Sequence, residues 1–146
     1  MASYNISIAS DHSGYLLKAK IIELLQKQGH KLNNLGVDDD TNVDYPDYAT
    51  LVCQCILDQV SKFGILICGT GIGMSIAANR YSGIRAGLCT SVFMAERARS
   101  HNDANILVLG SKILGVDDAT NIAIVEKFLT TDFDGGRHIR RLAKIS

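Results

Sequence analysis

The chain has no tryptophan, a single proline and no surplus of either charge: fifteen Lys plus Arg offset fifteen Asp plus Glu over 146 residues. That balance removes the electrostatic footprint of a general nucleic-acid binder, so any anion specificity must be local. No run approaches the roughly 18 apolar residues a transmembrane helix needs. The apolar opening from Tyr4 to Ala9 lacks the basic segment of a secretory signal. A cytoplasmic protein without membrane or nucleic-acid partners is expected. The four cysteines, Cys53, Cys55, Cys68 and Cys89, show no two-residue spacing of a zinc or dithiol motif and read as reduced thiols. With 47% hydrophobic and 21% charged residues and no polar low-complexity tract, disorder is excluded. A chain of this length buries about two thirds of its unfolded surface. One domain over residues 1–146 is expected, with a basic C-terminal segment at 136–146.

Short apolar runs alternate with segments of helical spacing. Tyr4 to Ala9 precedes apolar positions from Leu16 to Leu25, which stop at Gly29; Lys31 to Leu35 leads through an acidic loop to a helical stretch over Tyr48 to Val60. Gly64 to Cys68 is continuously apolar, as a central parallel strand should be, and a glycine-rich turn then opens a short helix over Ile72 to Asn79. Arg85 to Leu88, Val92 to Ser100, Ile106 to Leu109 and Asp117 to Leu129 continue the series, and Arg137 to Lys144 adds a terminal helix. Five βα units predict an α/β fold, a Rossmann-like three-layer α/β/α sandwich around a five-stranded parallel sheet.

The sharpest local feature is Ile67-Cys68-Gly69-Thr70-Gly71-Ile72-Gly73, a strand that ends in a thiol followed by three alternate glycines. Gly69, Gly71 and Gly73 let backbone N–H groups converge on a phosphate or oxyanion, with a helix start behind them. The run is no P-loop, because no Gly-Lys-Ser/Thr follows, and no dinucleotide fingerprint, because Met74 takes the last glycine position and the motif follows the third strand. Cys68 is either a small buried residue or, facing those amides, a nucleophile or proton acceptor. Cys53, Cys55 and Cys89 read as packing residues.

Asp11-His12 follows the first strand, and ligands in open α/β sheets bind outside the carboxyl ends of strands where strand order reverses. If strand 1 lies beside strand 3, Asp11 and His12 meet Cys68 and Thr70; otherwise Asp11 is only a helix N-cap. Tyr45 follows strand 2 and belongs on the same rim, as a site residue or as a turn aromatic before a helix started by Pro46. His101-Asn102 ends the helix between strands 4 and 5. A helix of about ten residues spans about 15 Å and carries the chain back to the opposite sheet edge. His101 therefore either ends its helix or completes a neighbouring subunit's site. Arg137 and Arg141, four apart, share a helical face suited to gripping one phosphate or simply facing solvent. His30 and His138 show no role of their own.

Five segments then carry a resemblance over essentially the whole chain: Ser10-Asp11-His12-Ser13-Gly14, Asp44-Tyr45-Pro46-Asp47-Tyr48, Ile67 to Gly73, His101-Asn102-Asp103-Ala104-Asn105, and Gly135-Gly136-Arg137-His138 with Arg141. The chain resembles the type B ribose-5-phosphate isomerases, in the family that also contains the galactose-6-phosphate isomerase subunits. The resemblance implies interconversion of D-ribose 5-phosphate and D-ribulose 5-phosphate in the pentose phosphate pathway, through a cis-enediolate and with no metal or organic cofactor. It makes Cys68 the base, since the alternative glutamate position falls near Ala77 to Arg80, where no acid occurs. It gives Asp11 and His101 to ring opening, Asn102 to the oxyanion or hydroxyls, and His12, Arg137 and Arg141 to the phosphate. Thr70 orients Cys68 or the substrate hydroxyls. Sites shared between subunits imply a homodimer, and larger assemblies such as tetramers occur in the family. Lys112 stands where relatives often carry arginine and loses the bidentate fork. Two other readings are an isomerase of a six-carbon aldose 6-phosphate, of allose or galactose type, and a non-catalytic sugar-phosphate binder.

Overall fold

In the computed structural model, which describes residues 2–145, six helices cover a five-stranded parallel sheet of order β2-β1-β3-β5-β4. The elements in chain order are β1 (Asn5–Ser10), α1 (Tyr15–Lys27), β2 (Lys31–Asn34), α2 (Tyr45–Leu57), β3 (Phe63–Cys68), α3 (Ile72–Ala78), β4 (Ala86–Leu88), α4 (Val92–Ser100), β5 (Ile106–Gly110), α5 (Asp118–Leu129) and α6 (Arg137–Ala143). The expected fold class and order of elements are observed. Among the described residues, no helix is long and apolar enough to cross a membrane.

Alternation along the strands sends side chains to opposite faces and builds two cores. Ile6, Ile8, Ile65 and Ile67 face α1, α4 and α5, meeting Leu17, Ile21, Ala95, Val125 and Phe128. Ala9, Leu66, Cys68 and Val108 face α2 and α3, against Val52, Cys53, Met74 and Ala78. Every residue of β3 is buried, which accounts for its unbroken apolar run. Close approach of α2 is bought at Gly64, where an added Cβ would stand 2.6 Å from Val52 Cγ1.

Local chemistry sets the helix starts. Ser91 and Asp117 accept from the Met94 and Thr120 amides, satisfying first-turn donors of α4 and α5. Pro46 sits in the first turn of α2, where its fixed φ suits a helix and its missing N–H costs nothing. The helix consequently begins at Tyr45, three residues before the expected Tyr48, and Tyr45 is its first residue rather than a residue of the preceding turn.

The strand order reverses at β1, which pairs with β2 on one side and β3 on the other. Ser10 lies opposite Ile67, and the Asp11 N–H donates to the Ile67 carbonyl at 3.1 Å. The conditional placement of strand 1 beside strand 3 is therefore met, and the carboxyl ends of both strands open at the switch point.

Candidate active site

Cys68 ends β3 on the α2/α3 face, 6% exposed, and its Sγ accepts the Gly71 N–H at 3.2 Å. Burial and orientation toward the bend thus coexist in one residue. Gly71 holds φ at +79°, the left-handed conformation that folds its amide back to the sulfur. The Ile72 N–H donates to Thr70 Oγ1 at 3.2 Å, and the Thr70 side chain stays exposed at the turn. α3 has only seven residues, so the field at the bend comes from individual amides more than from a long helix dipole. The turn is braced from the residues just after β5, where the Ser111 N–H reaches the Cys68 carbonyl at 2.9 Å and the Lys112 N–H reaches the Gly69 carbonyl at 2.8 Å.

The three glycines differ in why they are glycines. At Gly71 an added Cβ would lie 2.5 Å from Leu88 Cδ1. At Gly73 it would lie 2.6 Å from Tyr45 Cε1, so the third glycine makes room for the Tyr45 ring as well as offering an amide. At Gly69 the nearest atom is Ser13 Oγ, 3.7 Å away, which leaves ordinary space.

Asp11 is buried and does not cap α1, whose N-cap is Gly14. Its Oδ1 accepts from the Ser13 N–H at 2.9 Å and the Ser13 hydroxyl at 2.6 Å, a tight turn that leaves Oδ2 for another partner. His12 is half-buried and accepts the Val43 N–H on Nδ1 at 3.3 Å, which assigns its proton to Nε2. One edge of one chain therefore carries Asp11, His12, Tyr45, Cys68, Thr70 and the glycine turn.

His101 belongs elsewhere. α4 returns the chain antiparallel to the strands, and β5 starts at Ile106, four residues before the Gly110 that pairs with Cys68. Those four residues span about 13 Å along the sheet, which sets His101 and Asn102 at the opposite edge. There the His101 ring stacks on His138, with centroids 4.2 Å apart and planes 21° apart. The Asp134 N–H donates to the Ser100 carbonyl at 3.0 Å and fastens the α6 approach to the end of α4. Arg137 and Arg141 remain exposed on α6 beside them.

His138, given no role by the sequence, is the buried member of this group. Desolvation pushes its imidazole below the usual histidine range, and His101, Arg137 and Arg141 push the same way by charge repulsion. Ligating atoms of His101, Asp134 and His138 lie within 4.8 Å of one another. Nearly parallel stacked rings, however, keep their in-plane lone pairs in two nearly parallel planes, which do not readily converge on the single point a shared metal ion occupies.

Cys53 and Cys89 are buried, and burial raises their thiols to about 11 and about 12, in keeping with packing roles. Cys55 is half-buried beside Asn33.

Known proteins resemble this chain in both fold and sequence. The chain is similar to a ribose 5-phosphate isomerase of Thermotoga maritima, with a TM-score of 0.93 and 53% identity over 97% of each chain. It is similar to ribose-5-phosphate isomerase B of Mycoplasma genitalium with bound ribulose-5-phosphate, with a TM-score of 0.91 and 46% identity over 99% of this chain and 95% of the other. Ribose-5-phosphate isomerase B of Escherichia coli is 39% identical over 97% of this chain and 93% of its own length. A parallel α/β sheet with a thiol and a glycine turn at its switch point, matched this closely, defines an isomerase. Residues 6–145 match the Ribose/Galactose Isomerase family, and the chain belongs to that family.

Proposed function

We propose that the protein interconverts D-ribose 5-phosphate and D-ribulose 5-phosphate in the pentose phosphate pathway, with Cys68 as the general base. The observation that carries this reading is the Gly71 N–H on Cys68 Sγ at 3.2 Å, which aims the sulfur at the bend where amides can meet a sugar oxygen. Cys68, as thiolate, takes the proton from C2 of the open-chain aldose; the C2–H electron pair becomes the C1–C2 double bond and the carbonyl electrons move onto O1. The cis-enediolate then takes the proton back from sulfur at C1, and the O2 hydroxyl proton moves to O1. The Gly71 amide is engaged with sulfur and that of Ile72 with Thr70, so the neighbouring first-turn amides of Gly73 and Met74 are the donors for the oxyanion. Thr70 orients the substrate hydroxyls.

Ring opening requires a proton donor and acceptor at the furanose oxygen and the anomeric hydroxyl, roles that fall to Asp11 and His101, with Asn102 on the hydroxyls. His12, Arg137 and Arg141 hold the phosphate, and that remote grip fixes C1 and C2 against Cys68. Because His101, Asn102 and α6 lie at the other sheet edge, a complete site takes them from a second copy, making a homodimer the active unit. Neither a metal nor an organic cofactor enters these steps.

The test is turnover of ribose 5-phosphate by purified protein without added metal, compared with Cys68→Ala. Loss of turnover with retained circular dichroism is expected, and full activity in Cys68→Ala would overturn the base assignment. Dilution should lower specific activity if two subunits share each site. Parallel kinetics on allose 6-phosphate and galactose 6-phosphate measure the preference for five carbons.

A further inference from the structure

We propose that Lys18, outside the site described above, is a positioning residue that locks the loop from Gly36 to Asp44 onto the end of β1 and so sets His12 for phosphate. Its side chain is 1% exposed although it carries an ammonium group. That group donates to Asn34 Oδ1 at 2.6 Å and to Asp38 Oδ1 at 2.5 Å. Asn34 also binds both sides of the loop, with Nδ2 on Asp38 Oδ1 at 2.8 Å and Oδ1 accepting the Gly36 N–H at 3.1 Å.

From there the loop is strapped to the residue just before Asp11 and His12. The Ser10 N–H donates to the Gly36 carbonyl at 2.8 Å, and the Val37 N–H donates to the Ser10 carbonyl at 3.0 Å. At its far end the Val43 N–H holds His12 Nδ1. The lysine therefore sits at one end of a loop whose root it holds by hydrogen bonds and whose far end, at Val43, holds the histidine ring.

Burying a lysine is costly, and an apolar side chain of similar volume would serve packing under α1 at least as well. What the ammonium adds is a fixed position for two loop acceptors. Asp38 is 71% exposed, so its carboxylate is held by Lys18 and Asn34 and not by burial. The same Lys18 hydrogen bond is the main reason its carboxyl lies below the usual range.

This inference rests on the assignment of His12 to phosphate, so its test has one arm that needs no substrate. Asp38→Ala alters only the exposed end of the lock and should fold; Lys18→Met keeps length and removes charge. In both, amide exchange at Val37 and Val43 should quicken relative to the β3 core. KM for ribose 5-phosphate should rise about tenfold with kcat held within about twofold, the pattern of lost uniform binding from one charge-assisted contact. The inhibition constant of inorganic phosphate should rise by the same factor. A double variant no worse than the worse single one supports a shared path. Wild-type exchange at Val37 and Val43 in Asp38→Ala overturns the lock whether or not the protein isomerises ribose 5-phosphate. A fall in kcat at constant KM overturns the phosphate-side role, whereas a wild-type protein inert toward ribose 5-phosphate overturns the substrate reading alone.

Discussion

Replacing each glycine of the turn by alanine separates conformation, packing and chemistry, because the three sites differ in geometry. At Gly71, φ of +79° imposes a left-handed backbone that costs a non-glycine residue about 1–2 kcal/mol. Its new Cβ would also stand 2.5 Å from Leu88 Cδ1 and 3.2 Å from the Leu109 carbonyl. Leu88 can turn aside but backbone cannot, and overpacking of this kind costs about 1–3 kcal/mol. Gly71→Ala should therefore lose about 2–5 kcal/mol, which for a chain of 146 residues lowers Tm by roughly 5–15 °C. Activity should fall with it, since the Gly71 N–H is the donor on Cys68 Sγ. Gly69→Ala meets nothing closer than 3.7 Å and should melt within about 2 °C of the parent. Gly73→Ala displaces the Tyr45 ring, which is 39% exposed and free to swing outward, so stability should change by less than about 1 kcal/mol while turnover drops. Circular dichroism melts and initial rates on the three variants check the order. Should Gly71→Ala melt like the parent while Gly69→Ala falls, the account of this turn is wrong.

Two further outcomes follow from the titrating groups. With Cys53 near 11 and Cys89 near 12, neither is a thiolate at pH 8; alkylation of the folded protein should mark Cys68 and Cys55, ribose 5-phosphate should protect only Cys68, and mass-spectrometric label on Cys89 in folded protein would contradict this. His30 is held below its ordinary value of 6.5 by desolvation, and its Nδ1 accepts the Tyr4 N–H at 3.1 Å. Above pH 6.5 the ring is neutral in both states and the contribution is complete; as pH falls toward the folded value the unfolded chain takes up the proton first and stability declines. Urea midpoints measured from pH 7 to 5 should therefore fall less steeply in His30→Gln, with part of the slope retained because His138 is lowered in the same direction.

The parts of this protein that were readable in its sequence are those fixed by local pattern. An unbroken apolar run marked β3 because a strand covered on both faces has no polar side to show, whereas the meeting of Asp11 and His12 with the glycine turn was conditional on strand 1 lying beside strand 3, a condition met by the Ser10–Ile67 pairing. What escaped was decided by distant partners. Gly73 looks like any ligand-facing glycine until the Tyr45 ring occupies its missing Cβ. Nothing in the sequence pattern singles out Lys18, since lysine is almost never fully buried without a partner and its partners come from β2 and the following loop. His138 left a faint local trace: with Leu142 four residues on, it forms the less exposed stripe of a helix whose arginines face water. Only the docking of α6 on the end of α4 sets that stripe against His101.

The same topology constrains the reaction more tightly than any single motif. In a parallel sheet every strand runs one way, so the intervening helices run the other, and the residue after a strand and the residue after a helix lie at opposite edges. Cys68 follows β3 and His101 follows α4. Lengthening a loop by a few residues could not bring them together without threading the chain past the layer of helices. A mechanism that needs a sulfur base and a ring-opening imidazole at one sugar must therefore draw them from two chains. On the proposed mechanism, the alternation of strand and helix that makes the fold easy to recognise is also what would give one chain two half-sites facing away from each other.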